Sequence, residues 1–147
     1  MEIVMSNWSA ARRAGAFTLI ELLVVLVILG LLASLVGPRV IKHLGESKTQ
    51  TAMLQIEELS SALEVYRLEV GKYPSSDEGL MALVENPGSV AQWNGPYLRK
   101  KTIRKDPWGN DYNYIFPGEN GEYDLYSLGA DNTEGGEGEN RDVLGWE

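Results

Sequence analysis

Two sets of acidic residues stand where charge is expensive, and each poses a chemical question. The first is the segment GADNTEGGEGENRDV, residues 129–143, which holds five acids and four glycines. Left alone it repels itself and loses much entropy on ordering, so an ordered form needs a staple. The chain has no cysteine and a single histidine, His43, which removes disulfides, thiolate nucleophiles and cysteine-zinc sites. A hard cation taking carboxylate and carbonyl oxygens is the staple that remains, and Ca2+ accepts about six to eight such ligands. The EF-hand template is met only at Asp131, Gly136 and Asp142, its first, sixth and twelfth places; Thr133 and Gly135 stand where it wants Asp or Asn. The alternative is a flexible, unliganded acidic loop. The second acid is Glu21, the one charged residue between Phe17 and Val36. A charge in lipid costs about 2.5 to 3.5 kcal/mol at a helix centre and less near an end, so Glu21 implies a compensating partner, the alternative being that it snorkels to the interface.

Catalysis has no comparable signal. Asp/Glu pairs occur, but nothing marks any pair as facing across a cleft, and no enzyme activity is expected. His43 reads as a solvated residue. Asn7-Trp8-Ser9 matches a glycosylation sequon but lies near the N-terminus and carries little weight. The formal charge is -8, with eleven acids against the single Arg141 in residues 106–147, while Arg99 to Lys105 bring five positive charges. So acidic a surface argues against nucleic acid as a partner. The basic run is suited either to charge pairing between subunits or to a solvated strand edge.

The elements that must position these acids follow from periodicity. At about 1.5 Å per helical residue, the twenty residues Phe17–Val36 match a hydrocarbon core of roughly 30 Å. An ordinary signal peptide would use Arg12 and Arg13 as its basic region and be cut near Ala33 or Ser34. The run is longer than the usual apolar region of about 7 to 15 residues, however, and the acid lies inside its first turns. Beyond Gly37-Pro38, apolar residues at Ile41, Leu44, Ala52, Met53, Ile56, Leu59, Leu63, Tyr66 and Val70 predict an amphipathic helix from near Arg39 to Val70, stopped at Gly71. Together the two halves make one rod, softened at Gly37-Pro38. Ser75 or Ser76 is placed to cap a short helix over Asp77 to Val84. The alternation in GPYLRK and in residues 106–129, with Pro-Gly-Glu-Asn-Gly as a turn, predicts two or three antiparallel strands. Tyr112, Tyr114 and Phe116 would share one face of them. So small a sheet needs the long helix as its second layer, and the expected class is α+β.

Basic residues, a small residue, then Phe-Thr-Leu-Ile-Glu and an unbroken apolar helix resemble the class III leader of type IV pilins and pseudopilins. In that family a prepilin peptidase cuts just before the Phe and methylates the new amine. The resemblance implies a leader over residues 1–16, cut between Ala16 and Phe17, and a transmembrane polymerisation helix over 17–37. It also implies a periplasmic domain over 38–147. The family's usual Gly before the cut is here one place back, so cleavage after Gly15 is the alternative; Pro38, twenty-second counting from Phe17, favours Ala16. Glu21 would then be the fifth mature residue. It would pair with the freed α-amino group of a neighbouring subunit and set the register of assembly.

Four further blocks extend the resemblance through nearly the whole chain: YPSSDEGLMALVENP (73–87), WNGPYLRK (93–100), DPWGNDYNY (106–114) and DLYSLGADNTEGGEGENRDV (124–143). They are similar to the major pseudopilin family of the type II general secretion pathway. That family implies a homopolymer anchored in the bacterial inner membrane, with its C-terminal domain in the periplasm. It also implies minor pseudopilins, an inner-membrane assembly platform and prepilin peptidase as partners. In that family the fibre, driven by a separate cytoplasmic ATPase, moves folded proteins across the outer membrane, and the resemblance implies the same role here. The resemblance further implies Ca2+ in the last loop, held by side chains of Asp131 and Asp142, carbonyls of Leu128 and Thr133, and Glu139, whose spacing fits less well. The other readings are a type IV pilin used in adhesion or DNA uptake, although many such pilins close this region with a disulfide, and a membrane-anchored calcium-binding module that never polymerises.

Overall fold

A computed structural model describes residues 17–88 and 90–147, with only the backbone of 36–42. The proposed leader, Ala16 included, and the side chains of Pro38 and Ile41 lie outside the described residues. One long helix, α1 (Leu19–Val70), begins after Thr18, whose Oγ1 accepts the Glu21 N–H at 3.3 Å. This is the N-cap arrangement that satisfies a free donor in the first turn. Helical structure continues through Gly37-Pro38 and ends where the Gly71 N–H donates to the Arg67 carbonyl at 2.8 Å. The chain divides into two compact units, Met1–Arg39 and Val40–Glu147.

In the second unit one face of α1 is buried through Ala52, Ile56, Leu59, Leu63 and Tyr66, a three-and-four spacing that repeats about every turn. Ala62 joins them, whereas Leu44 and Met53 are more than half exposed and belong to another face. Against this stripe pack Leu83, Tyr112, Leu125 and Val143. The sheet has the order β1-β2-β3, all antiparallel, with β1 Asn113–Ile115, β2 Asp124–Ser127 and β3 Val143–Leu144. Tyr114 faces Leu125 across the first pair and Ser127 faces Val143 across the second. The turn between β1 and β2 is closed by the Asp124 carboxylate, which accepts the N–H groups of Glu119 and Asn120 at 2.9 and 3.0 Å. The Tyr73 hydroxyl ties that hairpin to α1, lying 2.5 Å from Glu64 Oε1 and 2.8 Å from Glu122 Oε2.

Two local expectations are corrected. The helix expected over 77–84 is a 3-10 helix confined to Leu80–Leu83. Ser75 and Glu78 do form a reciprocal cap: the Ser75 N–H donates to Glu78 Oε2 at 2.8 Å and the Glu78 N–H to Ser75 Oγ at 3.3 Å. Gly79 then takes φ +57°, which ends any right-handed helix. The strand expected in GPYLRK does not form. Pro96 has no N–H to give a ladder, and the Tyr97 N–H goes to the Leu83 carbonyl at 2.7 Å. The third strand comes instead from Val143–Leu144, too short to carry a periodic signal.

Candidate functional site

The acidic loop is positioned by a turn at least 19 residues upstream of it. Asp106, buried, accepts the N–H groups of Trp108 and Asn110 at Oδ1 (3.0 and 2.8 Å) and the Ser127 hydroxyl at Oδ2 (2.6 Å). Asn110 Nδ2 then donates to the Gly129 carbonyl at 2.8 Å, and the Gly129 N–H to Ser127 Oγ at 3.2 Å. The Asp-Pro-Trp-Gly-Asn turn thus fixes where the loop leaves β2. The loop closes on itself through the Ala130 N–H, which donates to the Glu139 carbonyl at 2.8 Å. Gly129 has φ +68°, and a Cβ there would stand 2.8 Å from that carbonyl oxygen and 2.9 Å from that of Arg141. Only glycine allows the two ends of the loop this close.

Of the residues expected to hold a cation, Asp131, Thr133 and Asp142 share this loop. Asp131 Oδ1 accepts the Thr133 N–H at 3.2 Å, and Asp142 Oδ2 accepts the Gly135 N–H at 2.9 Å. Asp142 Oδ1 is buried with no hydrogen-bond partner. A buried carboxylate oxygen without a donor is costly, and either a water or a hard cation would compensate it, so the oxygen donors here are compatible with Ca2+. Among the described residues no three acidic or histidine side chains cluster as a metal centre, so main-chain oxygens such as those of Leu128 and Thr133 would have to complete the shell. Glu139 is engaged elsewhere. Its Oε2 accepts Lys48 Nζ and Trp108 Nε1, each at 3.1 Å, and these donors, Lys48 foremost, hold its carboxyl below the usual range. Nothing in the sequence signals the Lys48 contact, which spans 91 residues. The Asp106 turn did carry a signal, since Asp before Pro and Gly is a side-chain-capped turn composition.

The second feature is the apolar half of α1. Glu21 is exposed, and every large apolar side chain described between Phe17 and Leu35 is also exposed, from 46% at Val25 to 81% at Leu19. Among the described residues no helix is long and apolar enough to cross a membrane. The span Phe17–Val36 is a property of the sequence. His43 is exposed and lies 3.3 Å from Glu46 Oε2 through Nδ1. Two residues of the basic run pair within the chain, Arg104 with Glu58 at 3.6 Å and Lys105 with Asp111 at 3.4 Å, on a loop rather than a strand edge.

Residues 39–146 match the family model described as type II secretion system, protein G, and residues 11–37 match that of the prokaryotic N-terminal methylation motif. The chain belongs to the protein G family of the type II secretion system. It is 45% identical over 140 residues to the type II secretion system core protein G of Pseudomonas aeruginosa, covering 92% of this chain and 97% of that one. It is 44% identical over 138 residues to the core protein G of Vibrio cholerae, covering 92% and 93%. Its fold is similar to the crystal structure of the major pseudopilin from the type 2 secretion system of enterohaemorrhagic Escherichia coli. The TM-score there is 0.57 at 32% identity, covering 69% of this chain and 88% of that one. The expected α+β class, a long helix on a small antiparallel sheet, is the fold of this family, and protein G membership favours the secretion reading over an adhesive or DNA-uptake pilin. The family is one of structural secretion-system subunits.

Proposed function

We propose that the chain is the major polymerising subunit of a periplasmic pseudopilus, held in the inner membrane by residues 17–37 until it is drawn into the fibre. One observation carries this reading: an apolar helical surface is exposed from Leu19 to Leu35, and water is not a tolerable neighbour for it. Lipid covers it before assembly, and the same helices of other copies cover it afterwards. Prepilin peptidase removes residues 1–16 and methylates Phe17, and Glu21 of each copy pairs with the freed amine of a neighbour. The matched methylation motif supports this. Assembly platform and minor pseudopilins are the remaining partners, and the force comes from outside this chain. Glu21→Ala should leave the protein in the membrane while abolishing fibres; fibres of normal length and abundance would sink the reading.

The acidic loop holds Ca2+ through the side chains of Asp131 and Asp142 and the carbonyls of Leu128 and Thr133. The ion supplies positive charge that offsets the loop's self-repulsion and compensates Asp142 Oδ1. The chain itself fixes the loop's two ends at Gly129 and at the Ala130–Glu139 bond. Chelation should lower the thermal midpoint and raise protease sensitivity between 130 and 142; identical melts with and without chelator would count against calcium.

A further inference from the structure

Glu139 belongs to the acidic loop by sequence and to α1 by contact. Its main-chain carbonyl closes the loop by accepting the Ala130 N–H, while its carboxylate, about one-third exposed, reaches α1 at Lys48. Gly45 makes that approach possible. It is buried on the helix surface, and a Cβ built there would stand 2.8 Å from Glu139 Cγ and 3.3 Å from Oε1. The Trp108 indole N–H completes the seat, and Trp108 lies in the same Asp106 turn that holds Gly129. One side chain therefore meets α1, the positioning turn and the loop at once. Its Oε2 already accepts two donors, one of them cationic, so this oxygen is poorly disposed to bind a second cation.

We infer that Glu139 is a strut, not a cation ligand, and that it couples the state of the acidic loop to the Gly45–Ala52 turns of α1. The inference rests on the reading that a divalent cation orders this loop. With the loop closed, the Ala130–Glu139 bond fixes the main chain from which the carboxylate reaches Lys48 and Trp108. With the loop open, that anchor is lost and the helix turns beneath it lose a cover. Coupling of this kind is reciprocal, so clamping α1 also favours the closed loop.

Hydrogen exchange on the full chain in detergent micelles, with Ca2+ or with chelator, tests this. In the wild type, Ca2+ should slow exchange in residues 130–142 and also, by roughly twofold to fivefold, in 45–52. In Lys48→Met, the slowing in the loop should persist and the slowing in 45–52 should vanish. In Glu139→Gln, the loop should still respond at the same Ca2+ concentration. Loss of the loop's response in Glu139→Gln but not in Lys48→Met would make Glu139 a ligand and overturn the strut. Unchanged Ca2+-dependent slowing of 45–52 in Lys48→Met, or no slowing there in a wild type whose loop responds, would overturn the coupling. If the wild-type loop ignores Ca2+, the cation reading fails. The strut then stands only if Lys48→Met speeds exchange at 45–52 in chelator, and equal rates there overturn it.

Discussion

Asp142→Asn should change the sign of its effect on stability when Ca2+ is added. Without the ion, Asp142 Oδ1 is a buried charged oxygen with no donor, while Oδ2 holds the Gly135 N–H. Leaving such a group unsatisfied costs about 1 to 3 kcal/mol. Asn keeps one oxygen for the Gly135 N–H and removes the charge, so the metal-free variant should be at least as stable as the wild type, by about 0 to 2 kcal/mol. With Ca2+ at a hundred times its dissociation constant, the wild type gains about 2.7 kcal/mol, and a variant lacking one carboxylate gains much less. For a unit of about a hundred residues, 1 kcal/mol moves the midpoint by roughly 4 °C or more. The wild type should therefore rise by about 10 °C on adding Ca2+ and the variant by a few degrees at most, crossing in rank. Circular dichroism melts of the full chain in detergent, with Ca2+ and with chelator, read both arms. Equal calcium-induced shifts in the two proteins would refute the argument. So would a metal-free variant several degrees below the wild type, because Asp142 Oδ1 would then have a partner of its own.

Other outcomes follow from buried groups. The Tyr66 hydroxyl is buried without a partner while its ring packs edge-on against Tyr97, 5.5 Å between centroids. Tyr66→Phe should accordingly be neutral or stabilising by up to about 1 kcal/mol in urea unfolding, and a larger loss would contradict this. Asp106→Ala strands the Trp108 and Asn110 amides and the Ser127 hydroxyl, and should cost about 3 to 5 kcal/mol by the same assay. It should also make residues 130–142 easier to cleave, and an intact loop would show that the turn does not position it. In acid, three carboxyls matter. Glu64 is lowered chiefly by the Tyr73 hydroxyl and Glu139 chiefly by Lys48. Asp124, although burial is the largest influence and opposes it, is lowered by the amides of Glu119 and Asn120. Folded values below the unfolded ones mean stability fully present above about pH 4 to 5 and lost as pH falls through the folded values. The midpoint should hold from pH 7 to 5 and decline below, and a rise in that range would reverse the sign. Burial pushes Tyr112 and Tyr114 up, so stability should also fall once pH exceeds the unfolded tyrosine value of about 10.

The long helix was legible because its first half is an unbroken apolar run, its second half repeats its apolar residues every three or four, and Gly71 marks its end, signals that survive without tertiary context. The buried stripe from Ala52 to Tyr66 followed the same rule, but Met53 did not, since apolar character alone does not say which neighbour a side chain faces. Irregular segments were harder. GPYLRK alternates like a strand, yet a proline and one amide diverted to Leu83 cancel the pattern. β3 is two residues long and exists because Ser127 and Tyr126 lie beside it, not because of its own sequence. In the acidic loop, composition announced the need for compensation. That Glu139 turns to Lys48 and Trp108 depends on Gly45 leaving room, a steric fact invisible at a separation of 91 residues.

The account depends above all on the apolar helix being kept in the working protein, with Glu21 inside it. Intact mass spectrometry of the form recovered from the periplasmic fibre, or from membranes if no fibre is present, measures this directly. The predicted species begins at Phe17 and carries one methyl group. A species beginning downstream of Leu35, lacking both the helix and Glu21, would contradict it.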